Sequence, residues 1–368
     1  MAKILILANN DVGLYKFRKE LIQELIQQGN EVWISLPKGD LVQPLIDMGC
    51  TFIETRVNRR GINPFTDFKL LIHYIKVLIN IKPDMILTYT IKPNIYGGIV
   101  SRFMKTPYAI NITGLGTAFQ NEGLLKKLIV TLYKLSCKKA KVVFFENEEN
   151  KQVFIDNHIV KNENTCRLNG AGVNLEEYQF SEYPTNDKIH VLFIGRVMKE
   201  KGVDELFEAA QRIKGEYNNV IFDIIGPFED DYKHLITELQ QKGFIQYHGF
   251  QKDVKPFIKQ ASCLVLPSYH EGMANTLLEA GAMGRPLITT NISGCKEAVV
   301  NGKSGLLVTV GDSVDLYKKI SQFIEMDCES RKCMGWNSYK HISNNFDKKE
   351  VVDIAVKKMF KNSDGYFG

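Results

Sequence analysis

Four charged residues recur at spacings that sugar–phosphate chemistry could use. Gly195-Arg196 is followed shortly by Lys201-Gly202, and Glu271-Gly272 is followed eight positions later by Glu279. A guanidinium and an ammonium close together form a clamp for a diphosphate, because both donate charge-assisted hydrogen bonds to phosphoryl oxygen. The two carboxylates can accept hydrogen bonds from vicinal hydroxyls, such as those of a ribose or a hexose. Breaking a sugar–diphosphate bond develops negative charge on the leaving group, and preorganised cations and helix amides stabilise that charge. Such a site needs no metal or other cofactor. The chain has no D-x-D triplet and no His/Cys cluster with ligand spacing.

These residues need strands and helices to place them. HVLFIG (190–195) has the pattern of a buried strand, so Arg196 stands at its tip and Lys201-Gly202 opens the following helix. The helix dipole disfavours a lysine there, and a bound anion would offset that cost. CLVLPS (263–268) reads as a strand and TLLEAGAM (276–283) as a helix. Between them lie Glu271, Gly272, Met273, Ala274 and Asn275, with Asn275 the expected N-cap and Thr276 opening the helix. The free N–H groups of that first turn suit a phosphate, and Glu279 falls about one turn further on. A plainer reading stands beside this one. Glu279 favours its helix dipole by about 0.3–1 kcal/mol whatever binds, and loop charges are ordinarily solvated.

The same alternation runs through the whole chain. KILILA, EVWISL, TFIET, DMILTY, YAINIT and VVFFEN are strand candidates separated by helical stretches, the first helix spanning 14–29. A polar, turn-rich segment follows, and then HVLFIG, VIFDIIG, FIQYHG, CLVLPS, PLITT and GLLVT alternate with helices again. The fold class is therefore α/β, with two Rossmann-like doubly wound domains. The expected organisation is a first domain at 1–170, a linker at 171–188, a second domain at 189–345, and a C-terminal helix at 346–368 that packs back toward the first domain. Ligands in such sheets bind beyond the C-terminal strand ends, here in a cleft between the domains.

Composition narrows the class. The 368 residues are 44% hydrophobic and 24% charged, as in ordinary globular proteins. The seven cysteines are scattered and form no CxxC, which suits a reducing cytosol. The N-terminus reads as a strand rather than a signal peptide, and no apolar run reaches the length of a membrane span. Residues 1–180 carry 23 Lys and Arg against 17 Asp and Glu, net +6, while residues 181–368 carry 24 against 25, net −1. An anionic partner is expected for the first half only. Nothing in this pattern calls for a nucleic acid.

Together the GR-xxxx-KG and EG-x6-E segments resemble the retaining glycosyltransferases of family four, the large bacterial GT-B class. IIGPFED (224–230), QYHGF (246–250) and GCKEAVVNGKSGLLV (294–308) follow in the order that family has. The resemblance implies that Arg196 and Lys201 hold the diphosphate of a UDP-sugar donor. It implies that Glu279 holds the ribose, that Glu271 contacts the donor sugar, and that backbone near Phe250 reads the base. Glu271, Arg196 and Lys201 would be the catalytic set. TYTIKPNIYGG (88–98), NITGLG and SYHEGMANTLLEA look most like the subgroup that builds capsule, O-antigen or lipid-linked glycans, including N-acetylgalactosaminyltransferases acting on polyprenyl-diphosphate-linked sugars.

The first half would then bind the acceptor, a lipid-linked glycan. NNDVGLYKF (9–17) offers Asn10, Gly13 and Lys16, with Gly13 expected in a loop that lets backbone approach a ligand. It lacks GxGxxG, which argues against a dinucleotide. NITGLGTAF (111–119) offers Asn111, Thr113 and Gly114, where many relatives carry a histidine, so no general base is apparent. Arg59 and Arg60 could grip the acceptor's diphosphate. In the helix expected at 124–141, Leu124, Leu125, Leu128, Leu132 and Leu135 share one face and most lysines another. Such a helix can lie on an anionic membrane, which would place the protein in the cytoplasm on the inner face of the cell membrane. The plainer alternative turns the leucines into the core. Two other functions fit the same fold. One is a nucleotide-sugar 2-epimerase and the other a non-catalytic sugar-nucleotide-binding subunit; the second would be expected to lose Glu271 or Arg196.

Overall fold

The computed structural model describes residues 1–57, 63–115, 119, 123–185 and 187–360. They form two compact units, Met1–Ala171 together with the segment from Lys348, and Gly172–Asp347. In the first unit the strands are β1 (Lys3–Leu7), β2 (Glu31–Leu36), β3 (Thr51–Glu54), β4 (Met85–Tyr89), β5 (Tyr108–Ile112), β6 (Val142–Phe145) and β7 (Thr165–Arg167). They pair in parallel in the order β3-β2-β1-β4-β5-β6-β7. The helices are α1 (Asp11–Gln27), α2 (Val42–Asp47), α3 (Pro64–Ile81), α4 (Gly98–Phe103), α5 (Leu124–Cys137) and α6 (Glu148–Asp156).

Alternation along β1 sorts the helices into two layers. Ile4 and Ile6 pack with Leu14, Leu21 and Leu25 of α1. Leu5 and Leu7 pack with Leu70 and Tyr74 of α3, Val100 of α4, and Ile129 and Tyr133 of α5. Buried on both faces, β1 reads as an unbroken apolar run.

The second unit repeats the plan with β8 (Ile189–Ile194), β9 (Val220–Ile225), β10 (Gln246–Tyr247), β11 (Cys263–Leu266), β12 (Leu287–Thr290) and β13 (Gly305–Val308). Their order is β10-β9-β8-β11-β12-β13, again parallel. Its helices are α7 (Val203–Glu216), α8 (Lys233–Gln241), α9 (Lys255–Gln260), α10 (Asn275–Ala282), α11 (Ser313–Glu325) and α12 (Cys328–Asn345). The last helix, α13 (Lys348–Phe360), belongs to the first unit and lies on α1, where Lys348 reaches Glu20 at 3.2 Å.

Three local expectations change. The stretch 172–185 is built into the second unit rather than standing apart. Phe180 packs on Trp336 and Tyr339, and the Ser181 and Glu182 carbonyls accept hydrogen bonds from Arg285. Helix α5 stops at Cys137, because the Lys141 amide is drawn to the Tyr108 carbonyl as the next strand begins. Four of its five leucines do not face the core, while Leu132 is partly buried against it. Leu124, Leu125, Leu128 and Leu135 are exposed, and Ile129, Tyr133, Ser136 and Cys137 form the buried face.

Candidate active site

In the second unit, β8 and β11 are neighbours, so the loops after them leave the same edge of the sheet. After β8, Gly195 and Arg196 lead into a single turn, Lys199–Lys201. Gly202 then caps α7 at φ 69°, and a Cβ there would stand 2.0 Å from the Pro267 carbonyl oxygen. Only glycine allows both the left-handed backbone and that approach. The contact brings Lys201 against the loop after β11, where its Nζ donates to Glu271 Oε1. Ser268 Oγ donates to the same oxygen at 2.8 Å, and Thr290 Oγ1 holds the Ser268 carbonyl at 2.6 Å. The lysine and glutamate side chains are only 16% and 12% exposed. The charge of Glu271 also reaches Cys295, whose thiol is pushed up to about 12 by burial first and by that carboxylate second.

The loop of Glu271 is braced from outside. Gly294 has φ 86°, and a Cβ on it would meet the Gly272 and Glu271 carbonyl oxygens at 2.6 and 2.7 Å. The Ala274 amide donates to the Gly294 carbonyl at 2.8 Å. Met273 and Ala274 are buried in the core, so a ligand at this loop would meet their backbone rather than their side chains. Asn275 is the first residue of α10 and not its N-cap. The cap is Ala274, whose side chain cannot accept a hydrogen bond. The first-turn amides, Thr276 included, therefore meet no side-chain cap, and the buried Asn275 Oδ1 has no hydrogen-bond partner. Both features suit a ligand seated at this turn.

Glu279 lies one turn further along α10. Tyr178 is beside it; burial raises the phenol's pKa, and the charge of Glu279 and a hydrogen bond to it raise it further. Asn174 places Tyr178 by a local turn, its Oδ1 accepting from the Glu176 and Glu177 amides at 3.0 and 3.2 Å. Lys255 Nζ sits 5.6 Å from the Tyr178 ring centroid. Tyr178 falls in the segment expected to be a linker, and the Asn-x-Glu-Glu turn is the signal that points to it.

Arg196 is more open, 45% exposed, with Nη1 3.5 Å from Glu229 Oε2. Phe250 is exposed just beyond β10. Its loop is latched to β9, where Asp223 Oδ1 meets His248 Nε2 and Oδ2 meets His190 Nδ1, both at 2.7 Å. Burial raises the Asp223 pKa, but the hydrogen bonds from His190 and His248 outweigh it and hold the carboxyl below its usual range. This latch was not legible in the sequence, because its members are 33 and 25 residues apart.

The first unit uses its candidates differently. Asn10 caps α1, Oδ1 accepting from the Gly13 amide at 2.6 Å. Gly13 lies in the first turn of α1 rather than in a loop, because the helix begins at Asp11. Lys16 is exposed on the same helix. Thr113 and Gly114 follow β5, and the space that a Gly114 side chain would fill is open. Asn111 is buried and tied by Nδ2 to the Thr88 carbonyl at 3.2 Å. Arg59 and Arg60 lie outside the described residues. At the end of β6, Glu146 accepts from Arg18 at 2.6 Å, both nearly buried. Among the described residues no group of His, Cys, Asp or Glu could hold a metal, and no helix is long and apolar enough to cross a membrane.

Comparison with known proteins fits this division. Residues 175–341 match the family described as Glycosyl transferases group 1, and residues 3–147 match Glycosyl transferase 4-like. A Campylobacter jejuni N,N'-diacetylbacillosaminyl-diphospho-undecaprenol alpha-1,3-N-acetylgalactosaminyltransferase is 30% identical, over 87% of this chain and 88% of its own. An Escherichia coli UDP-Gal:alpha-D-GlcNAc-diphosphoundecaprenol alpha-1,3-galactosyltransferase is 27% identical, over 81% of this chain and 83% of its own. The structure of Anabaena HepE in complex with UDP and glucose superposes with a TM-score of 0.80 at 18% identity, covering 98% of this chain and 99% of that one. Similarity along nearly the whole length places the chain in the glycosyltransferase family, as an enzyme of the GT-B fold with a 4-like first half and a group 1 second half.

Proposed function

We propose that the enzyme transfers a hexose or N-acetylhexosamine, GalNAc or GlcNAc, from a UDP-sugar to a polyprenyl-diphosphate-linked glycan, with retention and without a metal. The product would enter a bacterial surface polysaccharide or a glycoprotein glycan. The observation that carries this reading is the nearly buried Lys201–Glu271 pair beside the uncapped first turn of α10. The relatives named above act on undecaprenyl-diphosphate-linked sugars, and one uses UDP-Gal.

In this reading the donor's diphosphate lies between Arg196, Lys201 and the first-turn amides of α10. As the sugar–phosphate bond breaks, the bonding electrons leave with UDP. The cations and amides already stand where that charge develops, so little reorganisation is needed. Glu271 divides its two oxygens between Lys201 and a hydroxyl of the donor sugar. Glu279, steadied by Tyr178, accepts from the ribose hydroxyls. Backbone around Gly249 and Phe250 meets the base.

The acceptor falls to the first unit, with Asn10, Gly13, Lys16, Arg59, Arg60, Thr113 and Gly114 its candidates. The basic helix α5 would hold the protein on the inner face of the cell membrane, where a polyprenyl carrier resides.

The test is a panel of labelled UDP-sugars with purified undecaprenyl-diphosphate-linked saccharides, in the presence of saturating EDTA. Transfer from one UDP-sugar into the lipid phase is expected, with the anomeric configuration kept by NMR. Strict metal dependence, or inversion, would overturn the mechanism. Conversion of the donor alone to an epimer would overturn the assignment of function.

A further inference from the structure

We propose that the whole outer surface of α3, α4 and α5 is a docking face for an anionic lipid bilayer, in which Phe65 and Phe68 of α3 insert beside Leu124 and Leu128 of α5. The proposal deepens the reading of a lipid-linked acceptor, and its observations are independent of the donor site. Of the twenty large apolar side chains exposed among the described residues, ten lie on this layer. At 100° per residue, Phe65, Phe68, Ile72 and Ile79 form a stripe about 60° wide on α3. It points directly away from the buried face made by Leu70, Tyr74, Val77 and Ile81. Phe65 is 83% exposed and Phe68 65%. On α5, Leu124, Leu128 and Leu135 form a similar outward stripe. Phe103 and Met104 lie between, at the end of α4, where Arg102 Nη1 donates to the Leu135 carbonyl at 3.0 Å and joins α4 to α5.

Charge identifies the occupant. Residues 63–81, 98–105 and 124–141 contain ten Lys and Arg and a single acid, Asp67. That acid is buried and bound to Lys92 Nζ at 2.7 Å, so it does not offset the surface charge. The opposite layer of the same unit supplies a control. Helices α1, α2 and α13 contain seven basic and six acidic residues and expose three large apolar side chains, Val12, Ile46 and Ile354. Apolar side chains rimmed by cations match a surface that is anionic outside and hydrocarbon beneath. An acidic protein partner would match the lysines, but exposed apolar side chains spread over three helices with cations among them match the layered polarity of a bilayer.

The experiment is co-sedimentation of the full chain with vesicles of phosphatidylcholine, with and without phosphatidylglycerol, from low to high salt. Wild type should partition onto the anionic vesicles and be released as salt rises. Phe65→Ser/Phe68→Ser and Leu124→Ser/Leu128→Ser should each lose about tenfold or more in partition coefficient. Both should keep the wild-type melting temperature and the wild-type affinity for UDP in solution, because none of the four side chains is buried. An α3 variant that binds like wild type would overturn the three-helix face and leave α5 alone. Equal binding to zwitterionic vesicles would overturn the charge argument. A dimer in sedimentation velocity that the serine variants make monomeric would assign the face to a second copy of the chain. If UDP does not bind wild type at all, the donor reading fails while the vesicle result still stands or falls separately.

Discussion

Helices α10 and α5 carry similar leucine-rich sequences and use them in opposite ways. In α10, Leu277 and Leu278 are fully buried, and they fix the helix that carries the uncapped first turn and Glu279. In α5 the leucines at 124, 125, 128 and 135 are 43–86% exposed, and Ile129 and Tyr133 do the packing. Hydrophobic periodicity reports that a helix has an apolar stripe. It does not say whether the stripe meets protein or something else, and only the positions of neighbouring elements decide that.

The contrast is broken most forcefully at Arg285, three residues beyond α10 and the only fully buried arginine among the described residues. Among the described residues no carboxylate forms an ion pair with it. Its guanidinium donates instead to the carbonyls of Ser181, Glu182, Ala261 and Met283, at 2.5, 2.8, 3.3 and 3.1 Å. Burial lowers its pKa to about 10, so it stays charged at neutral pH. Arg285→Met should cost about 3–5 kcal/mol, because several buried acceptors lose their donor together. Leu277→Ala should cost about 2–5 kcal/mol through transfer and cavity terms. Urea unfolding measures both. A loss below about 1 kcal/mol at either site would mean that this edge of the second unit relaxes around the gap.

The site itself sharpens the comparison next. Arg196→Ala and Lys201→Ala should each weaken UDP binding by about 1.5–3 kcal/mol, roughly tenfold or more by calorimetry. Arg196→Ala should leave the melting temperature nearly unchanged, whereas Lys201→Ala should lower it, because Glu271 is left enclosed without its cation. Glu279→Gln should weaken UDP itself. Glu271→Gln should leave UDP binding nearly intact and lower turnover with the complete donor. Equal loss of UDP affinity in the two glutamine variants would reverse the assignment of ribose and sugar.

Much of this was legible in the sequence, and the remainder was not for identifiable reasons. The central strands appeared because a parallel sheet buried on both faces writes continuous apolar runs, whereas the edge strands β3 and β10 are only partly buried. Strand β7, TCR at 165–167, has no such run and was not anticipated. The spacing of Lys201 and Glu271 was visible, but their direct pairing was not. It depends on Gly202 packing so closely on the Pro267 carbonyl that a Cβ would stand 2.0 Å from its oxygen, a contact between positions 65 residues apart. Tyr178 was hidden because a polar, turn-rich stretch reads as a linker until its side chains are seen to pack. Asn275 looked like an N-cap by residue type, whereas the helix starts one residue earlier than that role requires.

Acid should reveal a smaller effect at the His190–Asp223–His248 latch. Hydrogen bonds from both histidines prevail over burial and depress the Asp223 pKa in the folded state. The stability this contributes is complete above the unfolded carboxyl value, about 3.9, and disappears as pH falls through the lower folded value. Melting temperature should therefore drop below about pH 4. The drop should be shallower in Asp223→Asn, which also starts from a lower melting temperature at neutral pH. Identical slopes in the two proteins would remove Asp223 from the acid response.

The smallest expected effect completes the contrast with α10. Leu124→Ala and Leu128→Ala should change folding stability by less than about 0.5 kcal/mol, as exposed substitutions do. Alanine also has the higher helix propensity, and the change leaves no cavity, because these side chains stand in solvent. The same substitution at Leu277 removes a side chain enclosed on every side, so two leucine-to-alanine changes on two helices should differ by at least about 1.5 kcal/mol. Urea midpoints with unchanged m-values would measure that gap directly. If Leu124→Ala or Leu128→Ala cost as much as Leu277→Ala, the α5 leucines would be covered in the folded protein in solution, and the apolar stripe would belong to its core rather than to an external surface.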